Sequence, residues 1–166
     1  MRFLAIDFET ANYYRDSACA IGLALVENNM LVESVSYHIK PPSKWFVFTD
    51  LHGISWRDVK DQPTFAELWP MISKYFANLD FVVAHNASFD RGVLKACCKT
   101  NNIDMPDLKF NCTVDISRQV WKIYPTKLNI VCEHFGIPLD HHNALSDTLA
   151  CAQIMVRAIE DGWNKK

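Results

Sequence analysis

The stretch Phe3-Leu4-Ala5-Ile6-Asp7-Phe8 is apolar except at Asp7, and a second carboxylate, Glu9, follows two positions on. A near-continuous apolar run of this length reads as a strand buried on both faces, which demands a sheet with other elements packed against it. Side chains two apart on a strand project to the same face, so Asp7 and Glu9 leave the end of that strand together. A lone D-x-E is ordinarily a strand end emerging into water. In a low-dielectric setting, however, two neighbouring anions repel, and one takes up a proton unless a cation intervenes.

The rest of the chain supplies the packing partners. Ala18 to Val26 and Leu31 to Ile39 read as strands, with Asn28-Asn29 between them suited to a tight hairpin because asparagine tolerates positive φ. Lys40 to Pro63 reads as a long connection carrying Trp45, Phe46 and Phe48. Thr64-x-x-Glu67 forms a capping box ahead of the stripe Phe65, Leu68, Trp69, Ile72, Tyr75 and Phe76, where Pro70 predicts a kink or a shifted helix start. Beyond it come a strand over Phe81 to Ala84, a helix over Ser88 to Cys98 and a weaker strand over Leu108 to Cys112. Three helices follow: Val114 to Trp121, Lys127 to Phe135 (stopped by Gly136 and Pro138), and Ala144 to Glu160. An antiparallel meander followed by crossover helices predicts an α/β fold with a mixed sheet.

Composition removes several alternatives. With 166 residues, 49% hydrophobic and 22% charged, the chain is expected to form one globular domain over 1–166 and is neither disordered nor fibrous. No apolar run approaches the ~18 residues of a membrane span, and Asp7 comes too early for a signal peptide. The six scattered cysteines read as buried thiols in a reducing compartment, so a cytoplasmic location without membrane contact is expected. A formal charge of −2 lacks the broad basic footprint of a nucleic-acid binder.

Two further clusters carry acids. In His85-Asn86-Ala87-Ser88-Phe89-Asp90 the carboxylate falls in the first turn of a helix that follows a buried strand. In His141-His142-Asn143-Ala144-Leu145-Ser146-Asp147 it falls one turn inside the final helix. Each has an ordinary explanation: an acid at a helix N-terminus is favoured by the dipole, and Asn143 suits a cap. Taken together they bring Asp7, Glu9, Asp90 and Asp147 to one edge of the sheet beside an imidazole. Four converging carboxylates without a cation would cost many kcal/mol. Oxygen-rich ligation suits Mg²⁺ or Mn²⁺, and two such ions ~4 Å apart form the clamp used for in-line phosphodiester cleavage.

Asp7-Phe8-Glu9-Thr10, His85-Asn86-x-x-Phe89-Asp90 and His142-x-Ala144-x-x-Asp147 resemble the three motifs of the DEDDh (DnaQ-like) 3′–5′ exonucleases. Leu51-His52-Gly53-Ile54 and Pro63-Thr64-Phe65 look like the epsilon-type branch of bacterial DNA polymerase III exonucleases. The resemblance runs from Phe3 to about Ile159. It implies a ribonuclease H-like fold, a five-stranded mixed sheet flanked by helices, and two Mg²⁺ or Mn²⁺ ions. Asp7 would bridge both ions, Glu9 and Asp147 would complete the shell of the first, and Asp90 would hold the second. His142, rather than the adjacent His141, would be the general base, since only His142 stands five residues before Asp147. Thr10, His52 and Asn86 would contact substrate, the 3′ end of single-stranded DNA or RNA, with DNA favoured.

Phe46 and Phe48 either stack on bases or pack over the sheet edge, and Tyr13, Tyr14 and Arg15 would line the same cleft. Two bound dications would neutralise the four acids, so recognition would be short-range with a shallow salt dependence. Thr148 stands where this branch commonly has alanine. Nothing long follows the last helix, so a stand-alone enzyme is expected over one docked on a polymerase; a homodimer, as in several relatives, is compatible with the chain. The competing reading is a non-catalytic nucleic-acid or protein-binding module on the same scaffold, and retention of all five motif residues argues against it. A haloacid dehalogenase-type phosphatase would need a second aspartate where Glu9 stands.

Overall fold

The computed structural model describes residues 1–164. Its central element is β1 (Arg2–Thr10), flanked on one side by β2 (Ala18–Glu27) and β3 (Met30–His38) and on the other by β4 (Phe81–Ala84) and β5 (Phe110–Cys112). The strand order is β3-β2-β1-β4-β5. The first two pairings are antiparallel and the last two parallel, as expected of a meander followed by crossovers. Asn28 and Asn29 take φ of 50° and 64° in the β2–β3 hairpin. Edge strand β5 is three residues long, shorter than the five expected.

The alternation along β1 divides the core. Leu4, Ile6 and Phe8 pack with β2, with α3 (Phe65–Ile72) and with α4 (Ala87–Thr100) on one face. Phe3 and Ala5 pack on the other against α5 (Thr113–Trp121) and α7 (Ala144–Glu160). A third cluster joins α6 (Leu128–Phe135) to α7. The side chains of Asp7 and Glu9 therefore fall on the α7 face, continuing the odd-numbered row.

The long connection is more structured than expected. It contains two four-residue helices, α1 (Thr49–His52) and α2 (Trp56–Val59), the second with a Ser55–Asp58 capping box. Val47 N–H donates to the Ala11 carbonyl at 2.7 Å, and Lys40 N–H to Pro63 at 2.9 Å, pinning the connection across the end of β1. The capping box at Thr64 forms as expected. Pro70 does not end α3; the helix runs to Ile72 and tightens into a 3₁₀ turn over Ser73–Phe76. Among the described residues no helix is long and apolar enough to cross a membrane.

Candidate active site

The β1–β4 pairing ends at Ala5 and Val83, so β1 runs on past its parallel neighbour. Beyond that point the Phe8 N–H turns to a side chain: it donates to Asp90 Oδ1 at 3.0 Å. Asp90 lies in the first turn of α4, which starts straight after β4. The bond draws its carboxylate around the strand end toward the Asp7–Glu9 row.

From the opposite layer, α7 brings Asp147. Asn143 caps this helix, its side chain accepting from the N–H groups of Leu145 and Ser146 at 3.1 and 3.3 Å. The helix presses closely on β2: a Cβ at Gly22 would lie 2.1 Å from the Ala144 carbonyl oxygen and 2.3 Å from Thr148 Oγ1. Gly22 is also the cross-strand partner of Asp7. Its missing side chain thus sets how near the start of α7 comes to β1. Asp7, Glu9 and Asp147 each offer a carboxylate oxygen within 4.8 Å of the other two.

Asp90, Asp147 and Glu9 are only 1%, 5% and 8% exposed, so water does little to screen them. Burial is the largest influence on all four acids and raises every one. It lifts Glu9 to about 8, with Asp147 and Asp90 adding repulsion, and Asp90 to about 7. Asp7 rises well above the usual carboxylate range through burial and then repulsion from Asp90, Glu9 and Asp147. Asp147 rises less freely, because His141 and the His142 N–H favour its anion. A cluster that cannot ionise fully alone, built of hard oxygen donors, fits divalent cations of the magnesium or manganese type.

His142 sits at the lip, half-buried, in a left-handed turn with φ of 68°. Its backbone N–H donates to Asp147 Oδ2 at 3.1 Å. Burial and the neighbouring His141 lower its imidazole below the usual value, so the ring is neutral at pH 7. His141 pairs with the acid through its side chain, Nδ1 lying 3.0 Å from Asp147 Oδ2, and its ring stacks on His142 with centroids 3.9 Å apart.

The other expected contacts divide. Thr10 ends β1, and its carbonyl accepts from His52 Nε2 at 3.0 Å; Ile54 N–H donates to His52 Nδ1 at 3.1 Å, which fixes that tautomer. Both ring nitrogens of His52 thus have partners within the protein, and they tie the loop to Thr10. Asn86 occupies a left-handed position at the start of α4 and accepts from Ser88 Oγ at 3.3 Å. Thr10, Tyr13, Tyr14, Arg15, Phe48 and Phe89 line a cavity of ≈ 160 Å³ beside the acids. Phe48 meets Tyr13 edge-on at 5.0 Å, and Arg15 crosses to the Phe89 carbonyl at 3.0 Å. Phe46 instead packs on Ala11, Cys19 and Val59. A second cavity, ≈ 290 Å³, opens between His52, Tyr37, His141 and His142. The Thr148 hydroxyl is buried against Gly22, and Thr148 lines neither cavity.

Three features escaped the sequence reading. Gly22 interrupts an apolar strand, a pattern that signals close backbone approach. The His141–Asp147 pairing depends on the left-handed turn at His142. His85 is a brace: Nε2 donates to the Thr126 carbonyl at 3.1 Å while Nδ1 lies 2.8 Å from Thr113 Oγ1. Burial lowers its imidazole to about 4.

Comparison with known proteins agrees with this geometry. The RNase T family model, described as an exonuclease, matches residues 4–155. The chain is 32% identical over 161 residues to a PolC-type DNA polymerase III from Clostridium perfringens, covering 92% of this chain and 11% of that protein. It is 26% identical over 136 residues to a DNA polymerase III subunit epsilon from Buchnera aphidicola, covering 78% of this chain and 50% of that protein. The chain therefore spans half or less of the length of these curated relatives. Among solved structures, the nuclease domain of 3′hExo, a DEDDh family member bound to rAMP, superposes with a TM-score of 0.84 at 19% identity, covering 99% of this chain and 96% of that one. The shared architecture is the ribonuclease H-like fold.

Proposed function

The chain belongs to the RNase T exonuclease family, and we propose that it acts as a DEDDh-type 3′–5′ exonuclease, removing nucleoside 5′-monophosphates stepwise from the 3′ end of single-stranded nucleic acid, DNA in preference to RNA. The observation that carries the proposal is the convergence of Asp7, Glu9 and Asp147 oxygens within 4.8 Å, with Asp90 drawn to the same strand end by the Phe8 N–H.

The family is metal-dependent, and these four acids would hold two Mg²⁺ or Mn²⁺ ions that supply charge neutralisation for in-line hydrolysis. Asp7 is the member repelled by all three others, which suits a ligand shared between two ions. An unprotonated ring nitrogen of His142 takes the proton from the attacking water, a task suited to an imidazole that is neutral at pH 7 and anchored by its own N–H to Asp147. The water oxygen forms the new P–O bond as the bond to the upstream 3′ oxygen breaks. Thr10 and Asn86 position the terminal nucleotide, His52 supporting Thr10 from behind. Phe48 and the exposed Tyr13 and Tyr14 offer ring faces for bases, a contact indifferent to sequence. The DNA polymerase identity of the curated relatives supports DNA. A reducing, cytoplasmic setting is in keeping with six free cysteines, five of them buried.

The test is a 5′-labelled single-stranded oligonucleotide, as DNA and as RNA, incubated with Mg²⁺ or Mn²⁺. A ladder shortening from the 3′ end, stopped by EDTA and faster on DNA, is the expected result. Binding without shortening in either metal would identify a non-catalytic module instead.

A further inference from the structure

A third cleft, of ≈ 460 Å³, has walls that include Asn86, Ser88, Asp115, Arg118, Thr126 and Lys127. Asn86 and Ser88 connect it to the first turn of α4, the turn that carries Asp90. The two cations here are displayed differently from ordinary surface charge. Arg118 Nε donates to Thr126 Oγ1 at 3.0 Å, which fixes the plane of the guanidinium. Thr126 is itself tied twice: its hydroxyl donates to the Ile123 carbonyl at 2.9 Å, and its carbonyl accepts from His85 Nε2 at 3.1 Å. The His85 of the second motif thus braces the wall that holds Arg118. Asp115 also lines the cleft, and its Oδ1 forms a loose, exposed ion pair with Arg118 Nη1 at 4.0 Å, beyond hydrogen-bond range. Lys127 is exposed just before α6, and among the described residues its ammonium has no ion-pair partner.

We propose that this cleft is a phosphate subsite: Arg118 and Lys127 hold internucleotide phosphates of the strand upstream of the nucleotide being removed. The inference rests on the exonuclease reading and adds to it the determinant of substrate length. A fixed guanidinium fork matches phosphate oxygens in pairs, and the neighbouring ammonium adds a point charge. Two cations against the single lining acid Asp115 leave this cleft with a surplus of positive charge next to Asn86. With two cations engaged, the salt dependence of binding stays shallow, about 0.7 in slope for each contact on a single strand.

The experiment compares wild type with Lys127→Ala, Lys127→Glu and Arg118→Lys on a dinucleotide and a decanucleotide. The dinucleotide has no phosphate upstream of the scissile one. The ratio of kcat/KM for decamer over dinucleotide should fall about 3- to 10-fold in Lys127→Ala and further in Lys127→Glu. The slope of log affinity against log salt should drop by about 0.7 for the lost contact. Arg118→Lys keeps the charge but loses the fork, and should fall between wild type and Lys127→Glu. Lys127→Glu showing the wild-type length ratio and the wild-type salt slope would overturn the proposal. Should wild type shorten no oligonucleotide, the exonuclease reading fails. The subsite is then judged by anisotropy of the labelled decamer, where equal affinity of wild type and Lys127→Glu overturns it and weaker binding by the variant supports it.

Discussion

His142 reaches Asp147 through its backbone, whereas His141 reaches it through its ring, so the two adjacent imidazoles are held differently. The left-handed turn at His142 frees its ring at the lip of the cavity while its N–H stays tied to a site acid. Replacing His142 by alanine keeps that backbone bond. The variant should bind Mn²⁺ like wild type in calorimetry, yet turn over about 10²–10⁴-fold more slowly. Loss of metal affinity would mean the ring is a ligand. Asp7→Asn should behave oppositely. Removing the most strongly repelled acid should raise the melting temperature in EDTA while cutting activity by about 10³-fold or more, several kcal/mol of transition-state stabilisation. The acids themselves were legible in the sequence because the period of a strand puts Asp7 and Glu9 on one face by rule. The pairing of His141 was not, since it follows from one positive φ that no local pattern announces.

At the scale of elements, two contacts determine whether the acids meet: Phe8 N–H to Asp90, made where β4 stops short of β1, and α7 on β2 at Gly22. Gly22→Ala would place a methyl group on the Ala144 carbonyl, and α7 must retreat from β2. We expect a loss of about 1–3 kcal/mol in chemical denaturation together with reduced activity, since Asp147 rides on the displaced helix. Wild-type activity in a folded Gly22→Ala protein would show that α7 has more latitude than the packing allows. Strand order, hairpin and caps could be read from periodicity and turn chemistry. The helices α1 and α2 could not, because four residues are too few to display a 3.6-residue period. Phe46 and Phe48 illustrate the same limit. Two aromatics two apart look alike in sequence, and only the fold of the connection sends Phe46 into a small core and Phe48 toward Thr10.

For the whole molecule, the site is a source of instability that a bound divalent cation would relieve. Glu9 and Asp90 rise from ordinary values near 4.5 and 3.8 to about 8 and 7 in the folded chain. Between those limits the native state holds protons that the unfolded chain has released, so stability falls as pH rises. His85, lowered to about 4, acts in the opposite sense, as do His52 and His142, but most of that effect lies below pH 7. From pH 6.5 to 8 in EDTA, the melting temperature should therefore drop by roughly 2–8 °C, equivalent to about 1–2 kcal/mol. Millimolar Mg²⁺ should raise it more at pH 8 than at 6.5. A melting temperature in EDTA that is flat or rising across this interval would contradict the electrostatic account. The most direct measurement is a crystal structure determined in Mn²⁺ with data collected at the manganese edge. Two anomalous peaks about 4 Å apart are expected, one contacted by Asp7, Glu9 and Asp147 and the other by Asp7 and Asp90. Carboxylates turned away from one another, with no anomalous peak among them, would contradict it.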